Sequence, residues 1–180
     1  DTIKELKKTI LSACKDRCNI PFGVFKMTAL AKTSVLEELN QEILKNKNPK
    51  EFSEKLYDEY CSLYARVYDI CNYASIHNVK IMIDAEESWI QDIIDFLSIE
   101  MMKSSNSEKI IVINTYQMYL SKGLERLIRH HEIIKKSNAL FGVKIVRGAY
   151  MEKERERFGI KSPVCPSIKD THKNFNGAIL

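Results

Sequence analysis

Four short apolar segments alternate along the chain with longer stretches whose apolar residues recur at helical spacing, and this alternation constrains the fold most. The apolar segments are residues 22–27, 80–83, 109–113 and 141–146. Each has the length and composition of a buried strand, and each interval is long enough for a helical crossover. Parallel pairing with such crossovers leaves two α/β architectures, a doubly wound sheet or a (βα)8 barrel.

The helical patterns complete a single domain that spans residues 1–180. Helices are predicted at residues 1–18, from Ser34 to a polar stop at residues 46–50, at 51–77, at 88–103 and at 121–137. The segment after Gly148, MEKERERFGIKSPVCPS, is charged and is assigned no element, and a short helical pattern begins at Ile168. The chain is therefore expected to hold an N-terminal helix followed by four strand-helix units.

Composition excludes several classes of function. The 180 residues are 44% hydrophobic and 29% charged, and the net charge of +4 comes from scattered Lys and Arg without a basic block, which argues against a nucleic-acid-binding protein. The five cysteines form no C-x-x-C pair and have no histidine at zinc-ligand spacing, so no metal site is predicted. The four histidines fall on predicted helices or helix ends and are expected at the surface.

Charged or polar residues stand towards the carboxyl end of each predicted strand. They are Lys26 and Thr28, Asp84 and Glu86, Asn114 and Gln117, and Lys144 and Arg147. Both candidate architectures bind their ligands at this edge of the sheet, so a site is predicted there. Four of these residues also have a structural interpretation: Asp84 caps the next helix, Lys26 reaches from an edge strand to water, Lys144 pairs with Asp84 or Glu86, and Arg147 forms a salt bridge with a helix.

Five segments in order carry a family resemblance. FKMTAL, IMIDAEES, IVINTYQMYL, VKIVRGAYMEKER and SPVCPSIKDTHKNFN resemble the successive signature segments of the proline dehydrogenases, flavin enzymes of proline catabolism. The resemblance covers residues from about Phe22 to the C-terminus. It implies a (βα)8 barrel of the TIM type, of which this chain covers about half, with FAD held non-covalently over the strand ends.

The resemblance also implies an activity and its partners. The family oxidises L-proline to Δ1-pyrroline-5-carboxylate by hydride transfer to flavin N5, and it passes the electrons to a membrane quinone. Its eukaryotic branch works in the mitochondrial matrix at the inner membrane, where peripheral membrane contact is expected. The same resemblance leaves open the sister activity on hydroxyproline, which differs by one hydroxyl group in the pocket.

Individual residues take roles by the same resemblance. Lys26 pairs with the carboxylate of proline, Asp84 lies beside the substrate and holds a partner arginine, and Tyr150 lines the pocket near flavin and substrate. The residues expected to contact the flavin are Asn114, Gln117, Lys144, Val146, Gly148 and Ala149. Lys144 is the cation that would stabilise negative charge on the reduced ring.

One departure from the family pattern concerns the other side of the substrate. The family carries a paired-arginine motif on a later helix, and this motif does not occur in the sequence. Four strand-helix units cannot close an eight-stranded barrel, so exposed strand edges and oligomer formation are expected. These 180 residues alone are expected not to oxidise proline, and a non-catalytic fragment that associates without turnover is the remaining alternative.

Overall fold

The computed structural model describes residues 2–45 and 48–179, in which α-helices surround one side of a parallel sheet. The strands are β1 (Phe22–Phe25), β2 (Lys80–Ile83), β3 (Val112–Gln117) and β4 (Val143–Val146). The helices are α1 (Thr2–Lys15), α2 (Thr33–Leu44), α3 (Glu54–Ile76), α4 (Ser88–Ser105), α5 (Gly123–Lys136), α6 (Met151–Phe158) and α7 (Ile168–Gly177). Within the described ranges, no helix is both long and apolar enough to cross a membrane.

All four strands run parallel and stand in the order β1-β2-β3-β4. Phe25 pairs with Ile83, Ile83 with Asn114, and Thr115 with Lys144, so the carboxyl ends of the strands meet at one edge. A doubly wound sheet reverses its strand order at a switch point, whereas consecutive strands in unbroken order are the arrangement of a barrel wall. The topology therefore selects the partial barrel from the two architectures.

The hydrophobic core lies between the outer face of this sheet and the helices. Ile81 and Ile83 of β2 belong to one buried cluster with Ile90, Ile94 and Leu97 of α4, and all five side chains are fully or almost fully buried. Side chains alternate between the two faces of a strand, so the intervening residues face the concave side. That side is less covered, since Val24 is 44% exposed and the residues of β4 are only half-buried. The expected open edges are β1 and β4.

Three predictions of local structure need correction. The third strand continues to Gln117, because its polar residues are buried in the sheet and do not form a loop. The charged segment after Gly148 was assigned no element but begins with α6, in which Glu154 is the one buried residue. His130 is buried and its ring nitrogen Nδ1 lies 3.1 Å from the Tyr116 hydroxyl. Residues 46 and 47, in the predicted polar stop of α2, lie outside the described residues.

Candidate functional site at the carboxyl ends of the strands

A cavity of about 250 Å³ lies at the carboxyl edge of the sheet. It is lined by Lys26, Asp84, Ala85, Thr115, Gln117, Lys144, Val146, Gly148, Ala149 and Tyr150. The structure thus brings together every residue that took a role from the family resemblance except Asn114, whereas Thr28, Glu86 and Arg147 of the predicted strand ends do not line the cavity. It adds Ala85 and Thr115, whose residue types carried no signal in the sequence.

Lys26 and Tyr150 form one side of the cavity. Lys26 follows β1, and its Nζ donates a hydrogen bond to the Tyr150 hydroxyl at 2.9 Å. This hydrogen bond is the main cause that raises the pKa of Lys26, so the ammonium stays charged at neutral pH. No carboxylate of the described residues lies within ion-pair distance of it. The cavity therefore presents a cation that is available to an anionic ligand.

Asp84 and Lys144 form an ion pair on the opposite side. The Lys144 Nζ lies 2.6 Å from Asp84 Oδ1, and both side chains are partly exposed to the cavity. The loop that carries Asp84 is tied to β1, because the Asp84 N–H donates to the Phe25 carbonyl at 2.9 Å. In the described residues the partner of Asp84 is thus a lysine and not an arginine, as the structural interpretation of Lys144 anticipated.

At the end of β3, Asn114 and Gln117 lie on opposite faces of the sheet, although both were expected to contact the flavin. Gln117 lines the cavity with Thr115, while Asn114 is fully buried and donates from Nδ2 to Asp95 of α4 at 2.8 Å. An extended strand alternates its side chains with a period of two, so residues 114 and 117 cannot share a face. Asn114 therefore does not line the cavity, although its buried Oδ1 has no hydrogen-bond partner among the described residues, and its contact with the flavin stays a prediction.

Thr115 provides an independent indication of a ligand. Its side chain is almost completely buried beside the cavity, yet its hydroxyl oxygen has no hydrogen-bond partner. Leaving a buried hydroxyl unpaired costs about 1–3 kcal/mol, so such groups in folded proteins normally have a partner. A ligand with a polar edge against β3 would supply one.

A buried polar network holds β3 against the helices behind the cavity. The two oxygens of Asp95 accept hydrogen bonds from Asn114, Gln91 and Arg126, each at 2.8 Å. Burial lowers the pKa of His130, which lies 4.0 Å from Asp95. The network gives Asn114 a structural task, because it fixes the strand that carries Thr115 and Gln117.

Glu86 joins the loops that follow β1 and β2. Its carboxylate accepts hydrogen bonds from the backbone N–H and the hydroxyl of Thr28. Its own backbone is held as well, since the Glu86 carbonyl accepts from Gln117 Nε2 at 2.7 Å and the Glu86 N–H donates to Gln91 at 2.8 Å. Hydrogen bonds of Glu86 therefore connect the carboxyl ends of β1, β2 and β3 at the cavity.

A larger cavity of about 580 Å³ opens at the opposite end of the sheet. Its charged lining residues, Arg17, Lys80 and Lys109, are exposed side chains. Among the described residues it has no unpaired buried polar group, unlike the cavity at the carboxyl edge. The smaller cavity is therefore the candidate site.

The comparisons with known proteins agree with this architecture. A sequence model of the proline dehydrogenase family matches residues 12–180. The chain belongs to the proline dehydrogenase family. It is 36% identical over 152 residues to the mitochondrial proline dehydrogenase 1 of Dictyostelium discoideum, covering 82% of this chain and 25% of the relative. It is 31% identical to the carbapenem antibiotics biosynthesis protein CarD of Pectobacterium carotovorum, covering 89% of this chain and 41% of that protein.

The fold is likewise shared with a solved structure. Proline utilization A from Bdellovibrio bacteriovorus, determined after inactivation by N-propargylglycine, superimposes with a TM-score of 0.74 at 18% identity over 97% of this chain and 19% of that chain. The TIM-type barrel expected from the sequence is thereby confirmed as the fold class. The chain spans about a quarter of the length of the first curated relatives it matches.

Proposed function

We propose that the cavity at the carboxyl edge is part of the site of an FAD-dependent proline dehydrogenase, which oxidises L-proline to Δ1-pyrroline-5-carboxylate. The observation that carries this proposal is the convergence of an ammonium without a carboxylate partner, an ion pair and an unpaired hydroxyl on one cavity of a chain in this family. No protein nucleophile is required, because the reaction removes a hydride from carbon and a proton from nitrogen. The protein supplies orientation and charge.

Lys26 anchors the substrate in this proposal. The carboxylate of proline pairs with the Lys26 ammonium, whose hydrogen-bond partner is the Tyr150 hydroxyl. Tyr150 keeps the lysine side chain directed across the cavity. Asp84, tied to β1 and to Lys144, lies on the other side and limits the orientations of the bound ring.

The remaining lining residues fit an isoalloxazine ring. Thr115 and Gln117 offer polar groups to the polar edge of such a ring, and Val146, Gly148 and Ala149 offer an apolar side chain and accessible backbone. Lys144 places a positive charge at the same edge, where it stabilises negative charge. FAD held by these residues would supply the acceptor for the hydride, and a quinone would take up the two electrons.

The cellular setting follows from the relatives. The relatives from Dictyostelium discoideum, Caenorhabditis elegans and Homo sapiens are named as mitochondrial proteins. We place this protein in mitochondria as well, at the inner membrane, where its electron acceptor would be a membrane quinone. Contact with the membrane would be peripheral, and the open edges β1 and β4 would pair within a closed barrel or an oligomer.

A dye-coupled assay on the full-length protein with FAD tests the proposal. L-Proline should be oxidised, and a cyclic carboxylate that lacks the ring nitrogen should inhibit competitively. The methyl ester of proline, which lacks the anionic group, should be a poor substrate. Oxidation of the ester as fast as of proline would contradict carboxylate recognition, and a higher kcat/KM for hydroxyproline would assign the sister activity instead.

A further inference from the structure

One buried carboxylate connects three of the loops around the cavity. Glu154 of α6 is completely buried. Its Oε1 accepts from the Ser88 backbone N–H at 2.7 Å, and its Oε2 accepts from the Ser88 hydroxyl at 2.6 Å. The Tyr119 hydroxyl also donates to Oε1 at 3.4 Å. Ser88 follows β2, Tyr119 follows β3, and Glu154 itself follows β4, so one side chain joins three consecutive strand ends.

Glu154 takes the place of a local helix cap. Ser88 is the first residue of α4, and the residue before it, Glu87, makes no capping hydrogen bond with its side chain. The first N–H groups of a helix have no partner within the helix and carry partial positive charge, which favours a carboxylate. Because Glu154 satisfies this need from another element, α4 and α6 are fixed relative to each other.

The same contacts determine where the cavity loop lies. Tyr150 immediately precedes α6, and its carbonyl accepts from the Glu154 N–H at 3.0 Å. Gly148 has φ +129° and lies so close to the Tyr119 ring that any side chain there would overlap the ring. Glu154 thus holds Tyr150 through the helix turn and Gly148 through Tyr119. Both residues line the cavity.

We propose that Glu154 is a positioning residue of the site, which sets the place of Tyr150 and thereby the direction of the Lys26 ammonium. This inference rests on the proposed function for its effect on catalysis. Glu154 does not line the cavity, so it acts through the three loops that it joins, and on Tyr150 through the loop between β4 and α6. Losing it should loosen this loop while the barrel wall stays folded.

Glu154→Gln is the informative substitution, with Glu156→Gln as its matched control. Glutamine preserves the shape of Glu154 but directs an amide donor at the donors of Ser88. Glu156 lies on the same helix, is exposed, and undergoes the same chemical change. Hydrogen exchange of residues 147–153 should accelerate about tenfold in Glu154→Gln and less than threefold in Glu156→Gln.

Kinetics of the full-length enzyme distinguish positioning from general support of the fold. Glu154→Gln should lower kcat/KM for proline about thirtyfold, because the carboxylate anchor is misdirected. Combined with Tyr150→Phe it should lower kcat/KM hardly further than Tyr150→Phe alone, since both changes act through one group. The inference would be overturned if the losses in kcat/KM of the two single variants multiplied in the double variant. It would also be overturned if hydrogen exchange of residues 147–153 were unchanged in Glu154→Gln.

Two further outcomes remain decisive. If Glu154→Gln does not fold, Ser88→Ala removes one of the three donors and should give a smaller change in the same two measurements, whereas no change would refute the role. If the unaltered protein does not oxidise proline, the proposed function fails. The exchange measurement then still decides whether Glu154 fixes the loop.

Discussion

At the scale of single residues, Lys26 is the side chain whose loss should affect substrate binding most directly. Lys26→Ala removes the ammonium that faces the cavity without an acidic partner. A lost ion pair of this kind costs about 2 kcal/mol, so the KM for proline should rise about thirtyfold while FAD stays bound. Lys55→Ala, which removes an exposed lysine of α3 that does not line the cavity, serves as the control. A rise in KM of less than about threefold would contradict the anchor role.

Removing either partner of the ion pair between Asp84 and Lys144 should shift the flavin reduction potential, in opposite directions for the two partners. Lys144→Met leaves a carboxylate without its cation beside the cavity, so the flavin reduction potential should fall by about 30 mV, or about 1.4 kcal/mol for two electrons. Asp84→Asn leaves the cation without its carboxylate, so the potential should rise, and turnover should suffer more than FAD binding. Spectroelectrochemical titration measures both. Shifts of the same sign in the two variants would show that the pair does not face the flavin.

The positions of the site residues could be predicted where the end of the strand was clear in the sequence, and were misplaced where it was not. Lys26, Asp84 and Lys144 adjoin short apolar runs, so their position at the strand ends follows from the sequence. Thr115 and Asn114 follow an apolar run whose strand continues through polar residues, so the sequence places the strand end too early. The alternation that turns Thr115 inward and Asn114 outward becomes visible only with the true strand length.

At the scale of elements, the connection between α4 and β3 depends on one buried asparagine. Asn106 ends α4, and its Oδ1 accepts from the backbone N–H groups of Ile111 and Val112. Its Nδ2 donates to the carbonyls of Val112 and Leu140. Asn106→Ala leaves these buried groups unpaired and should lower the free energy of unfolding by about 3 kcal/mol.

Chemical denaturation measures this loss, with Asn19→Ala as the comparison. Asn19 is exposed and bonds to Asp16 close by in the chain, so its removal should cost less than about 0.5 kcal/mol. Equal losses in the free energy of unfolding for the two substitutions would show that the hydrogen bonds of Asn106 do not stabilise the connection between α4 and β3.

The order and type of most elements could be predicted, because each apolar run and each helical stripe is long enough to be recognised. Helix α6 was missed for a physical reason. Glu154 is its one buried residue, and an acidic side chain inside a charged segment gives no sign that it will be buried. Its burial depends on Ser88 and Tyr119, which the fold brings to it from two other loops.

At the scale of the whole molecule, the buried network around Asp95 should make stability depend on pH. Burial lowers the pKa of His130, while Asp95 opposes this effect and Arg126 and Arg129 add to it. The unfolded chain therefore takes up a proton near pH 6.5 that the folded chain does not, so stability is lost as the pH falls below about 6.5. His130→Gln should flatten this dependence.

Denaturation at several pH values between about 5.5 and 7.5 tests this dependence. Burial raises the pKa of Asp92 in the same network, so Asp92→Asn, measured over the same pH values, separates the carboxyl group from the histidine. An equally steep pH dependence in His130→Gln would assign the effect to other groups.

Anaerobic mixing of the full-length, FAD-loaded protein with L-proline, followed through the visible absorbance of oxidised flavin, tests the proposed reaction most directly. The absorbance band should bleach at a rate that saturates with proline, and Lys26→Ala should require about thirtyfold more proline for half the maximal rate. A cyclic carboxylate without the ring nitrogen should perturb the band without bleaching it. A band that L-proline leaves unbleached, or bleaching that Lys26→Ala leaves unchanged, would contradict flavin-dependent proline oxidation at this cavity.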